Sequence, residues 1–172
     1  MLFVLIGLLL VASVFVLLMK KNRESLCLLG MCCSLMVQFS GILIFIAKKG
    51  GYSRSIINFL FFSQTLRNKL QYLFITLDAL GYVIAVGRYL FPLFLLESAL
   101  QYSMIGWIRR HPGIQKWICG LPAATLAVYF PPVFRSIVNQ WPVMHSVLVE
   151  GSYWWITAYV AVALALMIQE LF

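Results

Sequence analysis

The sequence predicts an all-α integral membrane protein, a bundle of about five transmembrane helices with one amphipathic helix at the membrane surface. Hydrophobic residues make up 63% of the chain and charged residues only 10%, whereas charged residues are about a quarter of soluble domains. The apolar residues occur in blocks close to the length of about twenty residues that crosses a bilayer. The thirteen Lys and Arg lie mainly between these blocks, where they anchor helices in the lipid bilayer and do not form a nucleic-acid surface.

The first two spans are the clearest. Residues 1–19 and residues 25–47 are long apolar runs, and basic residues directly follow each of them. No basic residue precedes the first run and no A-x-A site ends it, so we expect it to be retained and not cleaved as a signal peptide. Within the second run, Gly30 and Ser34 are about one helical turn apart and predict close packing against another helix.

The middle of the chain is harder to divide. Residues from about 55 to 70 mix large apolar side chains with basic ones, and their apolar part is too short to span, so they predict an amphipathic helix at the interface. The third span is predicted at 86–107. Residues 71–86, which precede it, are apolar enough either to insert or to lie at the interface.

Two further spans complete the prediction. Residues 117–134 are apolar but contain three prolines, so we expect a short or broken span. Residues 152–172 form the last span and begin with a cluster of aromatic side chains typical of a membrane interface. This helix has no stop signal at its end, so we expect the chain to continue into a cytoplasmic domain.

The orientation in the cell membrane depends on the distribution of Lys and Arg. These residues are divided equally between the two sides of the predicted topology, so the loops give no preference. The first span has no charge before it and three basic residues shortly after it. This asymmetry favours a multi-pass protein with its N-terminus outside and its C-terminus in the cytoplasm.

Four polar residues form a candidate site for a ligand or for signal relay: Asp78, Arg88, Glu97 and Gln101. A charge at the centre of a membrane helix costs at least about 2.5 to 3.5 kcal/mol, so the three charged residues need partners or a cavity. Arg88 and Glu97 fall on nearly opposite faces of one helix, whereas Glu97 and Gln101 share a face. Alternatively, Asp78 and Arg88 lie at the interface and Glu97 forms a structural hydrogen bond.

No catalytic site can be assembled from the sequence. His111 and His145 are separated by a predicted span, and neither has a cysteine or carboxylate at metal-ligand spacing. The four cysteines include no CxxC, which favours helix packing over metal binding. Glycine patterns for phosphates or nucleotides are absent, as are hydrolase motifs. We therefore predict no catalytic residue, no metal and no cofactor in this chain.

Three segments carry a resemblance to a known family: ESLCLLGMCCSLMVQFSGILIFIAKKGG, LRNKLQYLFITLDALGYVIAVGRYLFPLFLLESALQYSM and YFPPVFRSIV. Together they resemble the N-terminal membrane region of bacterial sensor histidine kinases. The resemblance implies that the helices receive or relay a signal to a cytoplasmic kinase domain after Phe172. It also implies a homodimer, for which Ala161 and Ala165 offer a small-residue face. The family's phosphoacceptor motif does not match His111, which lies in the context RRHPG.

Two other functions remain open. In a self-contained transporter or accessory membrane subunit, Asp78, Arg88 and Glu97 would line a polar path. In a membrane enzyme acting on lipids, a cluster of His, Asp or Cys would lie near the interface, and the sequence offers none.

Overall fold

The computed structural model describes residues 2–19, 22–61, 64–102 and 112–169. Every regular element within these residues is an α-helix. The helices are α1 (Leu2–Leu18), α2 (Arg23–Lys49), α3 (Arg54–Phe61), α4 (Gln64–Gln71), α5 (Leu77–Tyr102), α6 (Pro112–Thr125), α7 (Pro131–Gln140) and α8 (Val143–Gln169).

Three of the described helices, α2, α5 and α8, are long and apolar enough to cross a membrane. The first helix, α1, is also apolar but has only 17 residues. The all-helical fold class predicted from composition is therefore confirmed within the described residues, together with three candidate spans.

Two contacts show that α2 and α5 run antiparallel. At one end, the ammonium of Lys48 donates a hydrogen bond to the carbonyl of Leu73, in the loop that leads into α5. At the other end, the side-chain amide of Gln101 donates to the sulfur of Cys27 across 3.3 Å. These two ends of the bundle are called the Lys48 end and the Cys27 end.

The first helix packs antiparallel to α2. The hydroxyl of Ser13 lies 3.8 Å from the sulfur of Met36, and Ile6 packs against a buried cluster that contains Leu43. Residues nearer the start of α1 therefore contact residues nearer the end of α2. The first described residue lies at the Lys48 end.

The last helix runs parallel to α5. The guanidinium of Arg88 lies over the ring of Tyr153, and Leu96 belongs to one buried cluster with Ala163. Residue numbers thus increase in the same direction along both helices. As a result, α8 begins at the Lys48 end and finishes at the Cys27 end, opposite to the start of α1.

A close approach of two helix backbones occurs at Gly87 of α5. A Cβ at this position would lie 2.6 Å from the carbonyl oxygen of Ser34 and 2.6 Å from the backbone nitrogen of Gln38. Real Cβ atoms do not approach backbone atoms so closely, so a residue with a side chain does not fit. The backbones of α2 and α5 are in direct contact here, about half-way along α2.

Two glycines of α2 extend this contact toward both ends of the bundle. A Cβ on Gly30 would lie 2.6 Å from the ring of Phe94, and a Cβ on Gly41 would lie 2.8 Å from the side chain of Ile84. The predicted packing residues Gly30 and Ser34 therefore both lie against α5. Ser34 itself is buried.

The interfacial segment predicted at 55–70 consists of two short helices, α3 and α4, on either side of residues 62–63, which lie outside the described part. The inner face of α3 is apolar, and its Ile57 and Phe61 are buried in one cluster with Leu43. The segment is thus fastened to the bundle at the Lys48 end.

The helix α5 begins at Leu77, whereas the sequence predicted a span from 86 to 107. The hydroxyl of Thr76 accepts a hydrogen bond from the backbone N–H of Ala79, which caps the helix. Asp78 lies in the first turn, where a negative charge interacts favourably with the helix dipole. Residues 77–86 are therefore part of α5, which continues through Pro92, and residues 103–107 lie outside the described part.

The predicted spans 117–134 and 152–172 also differ in their bounds. The predicted span 117–134 is not one helix. Within it, α6 ends at Thr125, turns cover residues 126–130, and α7 begins at Pro131. Proline is favourable at the start of a helix because its missing N–H would have no helical partner there. The last helix begins at Val143 because Pro142 directly precedes it, and residues 170–172 lie outside the described part.

We expect Gly87→Ala to lower the free energy of unfolding by about 1–3 kcal/mol, because its methyl group would force the two backbones apart. Thermal unfolding in detergent, followed by circular dichroism, measures the change. The matched control is Gly81→Ala on the same helix, where a Cβ meets nothing within 4 Å. Alanine has the higher helix propensity, so the control should be neutral or stabilising by up to about 1 kcal/mol. Equal unfolding temperatures for the two variants would contradict the backbone contact.

Candidate functional site

A cavity of about 260 Å³ lies at the Lys48 end, between α5, the 126–130 turns and α7. Its walls are mainly apolar and aromatic, with one carboxylate and one guanidinium. The lining residues are Leu77, Asp78, Gly81, Tyr82, Ala85, Tyr129, Pro131, Phe134 and Arg135. An apolar pocket with a few polar groups is the usual form of a small-molecule site.

Helical spacing explains which residues of α5 line the cavity. Asp78, Gly81, Tyr82 and Ala85 follow the i, i+3, i+4, i+7 pattern of one helix face. Gly81 and Ala85 are small, and a Cβ on Gly81 would meet nothing within 4 Å. The small residues Gly81 and Ala85 therefore leave space for the cavity beside the larger side chains of Asp78 and Tyr82.

One ion pair joins the two helices that border the cavity. The guanidinium of Arg135 on α7 donates a hydrogen bond to the carboxylate of Asp78 on α5. The side chains are 68% and 48% exposed, respectively. An ion pair this exposed to water is worth about 0–1 kcal/mol. The pair therefore places two opposite charges at the edge of the cavity, and separating them costs little free energy.

Tyr129 connects the cavity to α8. Its hydroxyl donates a hydrogen bond of 2.7 Å to the backbone carbonyl of Leu148. Its ring centroid lies 5.3 Å from that of Tyr89 and 6.0 Å from that of Phe134. Phe134 in turn contacts His145 of α8, with ring centroids 5.9 Å apart. A displacement of Tyr129 would thus act directly on the first half of α8.

A second cavity, of about 240 Å³, lies on the other side of Tyr129, between α5, the end of α6 and α8. It is lined by Tyr89, Thr125, Val128, Tyr129, Val147, Leu148, Gly151, Ser152 and Trp155. The indole N–H of Trp155 is buried and has no acceptor among the described residues. A buried donor without an acceptor costs about 1–3 kcal/mol.

The four candidate residues proposed from the sequence do not form one site. Asp78 is at the Lys48 end, paired with Arg135. The guanidinium of Arg88 lies 4.1 Å from the ring centroid of Tyr153, at the level of the α2–α5 backbone contact. Gln101 is at the Cys27 end, where its side chain is hydrogen-bonded to Cys27. The half-buried Glu97 lies about 28 Å of helical rise from Asp78.

Most residues that line the two cavities were not predicted from the sequence, including Arg135, Tyr129 and Trp155. Asp78 and Arg135 are 57 residues apart, so no local pattern relates them. The available signal was topological, because the predicted spans place both residues on the same side of the membrane.

The other predicted residues can also be located. Ala161 and Ala165 lie on the exposed face of α8. Within the described residues, no three His, Cys, Asp or Glu side chains are close enough to hold a metal ion. His111 lies outside the described part, and His145 contacts Phe134 as noted above.

We expect Tyr129→Phe to lower the free energy of unfolding by about 0.5–1.5 kcal/mol, because it removes one hydrogen bond while keeping the ring. Thermal unfolding in detergent provides the measurement. Tyr72→Phe, at a side chain that is 80% exposed, is the control and should change stability by less than about 0.5 kcal/mol. A Tyr129→Phe protein as stable as the control would mean that the bond to Leu148 contributes nothing.

No family model, curated protein or solved structure matched the chain in the three comparisons with known proteins. The inference of function therefore depends on the side chains described above.

Proposed function

We propose that this chain is the membrane-embedded sensor region of a signal-transduction protein of the histidine kinase type. In this proposal a small, mainly apolar ligand occupies the cavities on the two sides of Tyr129, and α8 carries the signal to a cytoplasmic kinase domain. The observation that carries it is the position of Tyr129, which lines both cavities and is hydrogen-bonded to α8.

The geometry of α8 supports a role in relay. It is a single helix of 27 residues, about 40 Å long, that begins beside the cavities and finishes at the opposite end of the bundle. Rigid helices transmit small rotations or shifts along their length, and such movements at interfaces are common in switching proteins. A ligand that displaces Tyr129 would bias α8 between two positions.

The proposed topology is a multi-pass protein of the cell membrane, with the N-terminus outside and the C-terminus in the cytoplasm. Five crossings arise if α1 and the α6 segment with its following turns cross together with the three long helices. Two hydrogen bonds between this segment and α8 support the α6 crossing. The hydroxyl of Tyr159 donates to the backbone carbonyl of Ile118, and the hydroxyl of Tyr129 donates to the backbone carbonyl of Leu148. In this orientation the 260 Å³ cavity faces the outside, as suits an external signal.

A homodimer is part of the proposal. Ala161 and Ala165 lie on the exposed side of α8, and small residues one turn apart allow close approach of a second helix. The alternative of a transporter is less well supported, because Asp78, Arg88 and Glu97 do not line a common cavity within the described residues.

The gene that encodes this chain provides the first test. We expect its reading frame to continue beyond Phe172 into a phosphoacceptor histidine and an ATP-binding domain. A stop codon directly after Phe172 would contradict the kinase assignment and would favour an accessory membrane subunit.

A cavity-filling substitution tests the ligand site in the full-length protein. We expect Gly81→Leu to change the autophosphorylation rate in proteoliposomes several-fold, because its side chain projects into the 260 Å³ cavity and mimics or blocks occupancy. Gly120→Leu is the control, since a Cβ at Gly120 also meets nothing within 4 Å but lies outside this cavity. Equal rates for wild type, Gly81→Leu and Gly120→Leu would argue against a ligand at this place.

A further inference from the structure

The segment that joins α2 to α5 carries positive charge only. Residues 48–77 contain no Asp or Glu. Their basic residues are Lys48, Lys49, Arg54, Arg67 and Lys69. These five residues place positive charge at the Lys48 end.

Contacts bring the two parts of this segment together. The turn after α2 is made by Gly50 and Gly51, whose φ angles of 67° and 81° favour glycine. A Cβ on Gly50 would lie 3.7 Å from a guanidinium nitrogen of Arg67 on α4. The hydrogen bond from Lys48 to Leu73 holds the loop after α4 against the same place. Arg67 of α4 is therefore adjacent to the end of α2, which carries Lys48 and Lys49.

The same segment carries exposed aromatic side chains. Phe74 is fully exposed, Tyr72 is 80% exposed and Phe59 is 60% exposed. Aromatic rings beside Lys and Arg are typical of segments that lie at the boundary between lipid headgroups and acyl chains. The inner face of α3 is buried in the bundle through Ile57 and Phe61, which keeps the exposed Phe59 of the same helix at the Lys48 end.

We propose that Lys48, Lys49, Arg67 and Lys69, here called the basic platform, bind the headgroups of anionic phospholipids. A phosphate accepts charge-assisted hydrogen bonds from lysine and paired hydrogen bonds from arginine. The carboxylate of Asp78, which follows this segment, accepts a hydrogen bond from Arg135 of α7 and is thus shared with a guanidinium outside the platform. The exposed aromatic rings enter the acyl boundary next to the bound headgroups. This site is independent of the cavities on the two sides of Tyr129.

Lipid retention by the purified protein tests the proposal. The protein is reconstituted in equal parts of phosphatidylglycerol and phosphatidylcholine and extracted in mild detergent, and the bound lipids are counted by native mass spectrometry. We expect phosphatidylglycerol to be enriched several-fold in the wild type. The enrichment should fall in Arg67→Gln/Lys69→Gln and should persist in Lys116→Gln, an exposed basic residue on α6 outside the platform.

Undiminished enrichment in the double variant would overturn the proposal, and so would an equal loss in Lys116→Gln. Circular dichroism establishes that the double variant keeps its helices. If it does not fold, Lys69→Gln alone replaces it, since Lys69 is exposed, and the same two outcomes apply. Inorganic phosphate at millimolar concentration should not displace the lipid, because it lacks the acyl chains that the aromatic rings contact. Displacement would identify the platform as a site for free anions and contradict the lipid assignment.

Discussion

The contact between the backbones of α2 and α5 at Gly87 is the constraint on which the other helix positions depend. Direct backbone contact fixes the position of α5 along the axis of α2, because Gly87 lies against Ser34 and Gln38. Dispersion contacts of this kind are short-ranged and need closely fitting surfaces. Once α2 and α5 are in register, α1 packs on one side of the pair, and α6 and α8 pack on the other.

The site at the Lys48 end combines weak and strong connections. The Asp78–Arg135 pair is exposed and contributes little to stability, whereas Tyr129 is held by a hydrogen bond and by two aromatic neighbours. Separating the Asp78–Arg135 pair at the edge of the cavity thus costs little free energy, whereas Tyr129 remains coupled to α8. This division suits a site where binding must change a helix position without unfolding the bundle.

Composition and helix spacing predicted the parts of the fold that depend on local physics. The apolar runs around Gly30 and Leu96 are long helices because only a helix satisfies the backbone of such runs in an apolar surrounding. Helix ends were less predictable, since the start at Leu77 depends on a cap from Thr76 and the break before Pro131 on turn geometry. The cavity could not be predicted because its parts come from residues as distant as Asp78 and Arg135.

Pro92 has a mechanical consequence for α5. Proline has no N–H, so the backbone carbonyl of Arg88, four residues earlier, lacks the hydrogen bond that would stiffen a regular helix. Helices bend most easily at such positions. This compliant point lies beside Trp155 and Tyr159, at the level where Arg88 contacts Tyr153. The bending stiffness of α5 is therefore lowest in the region where it faces the second cavity and α8.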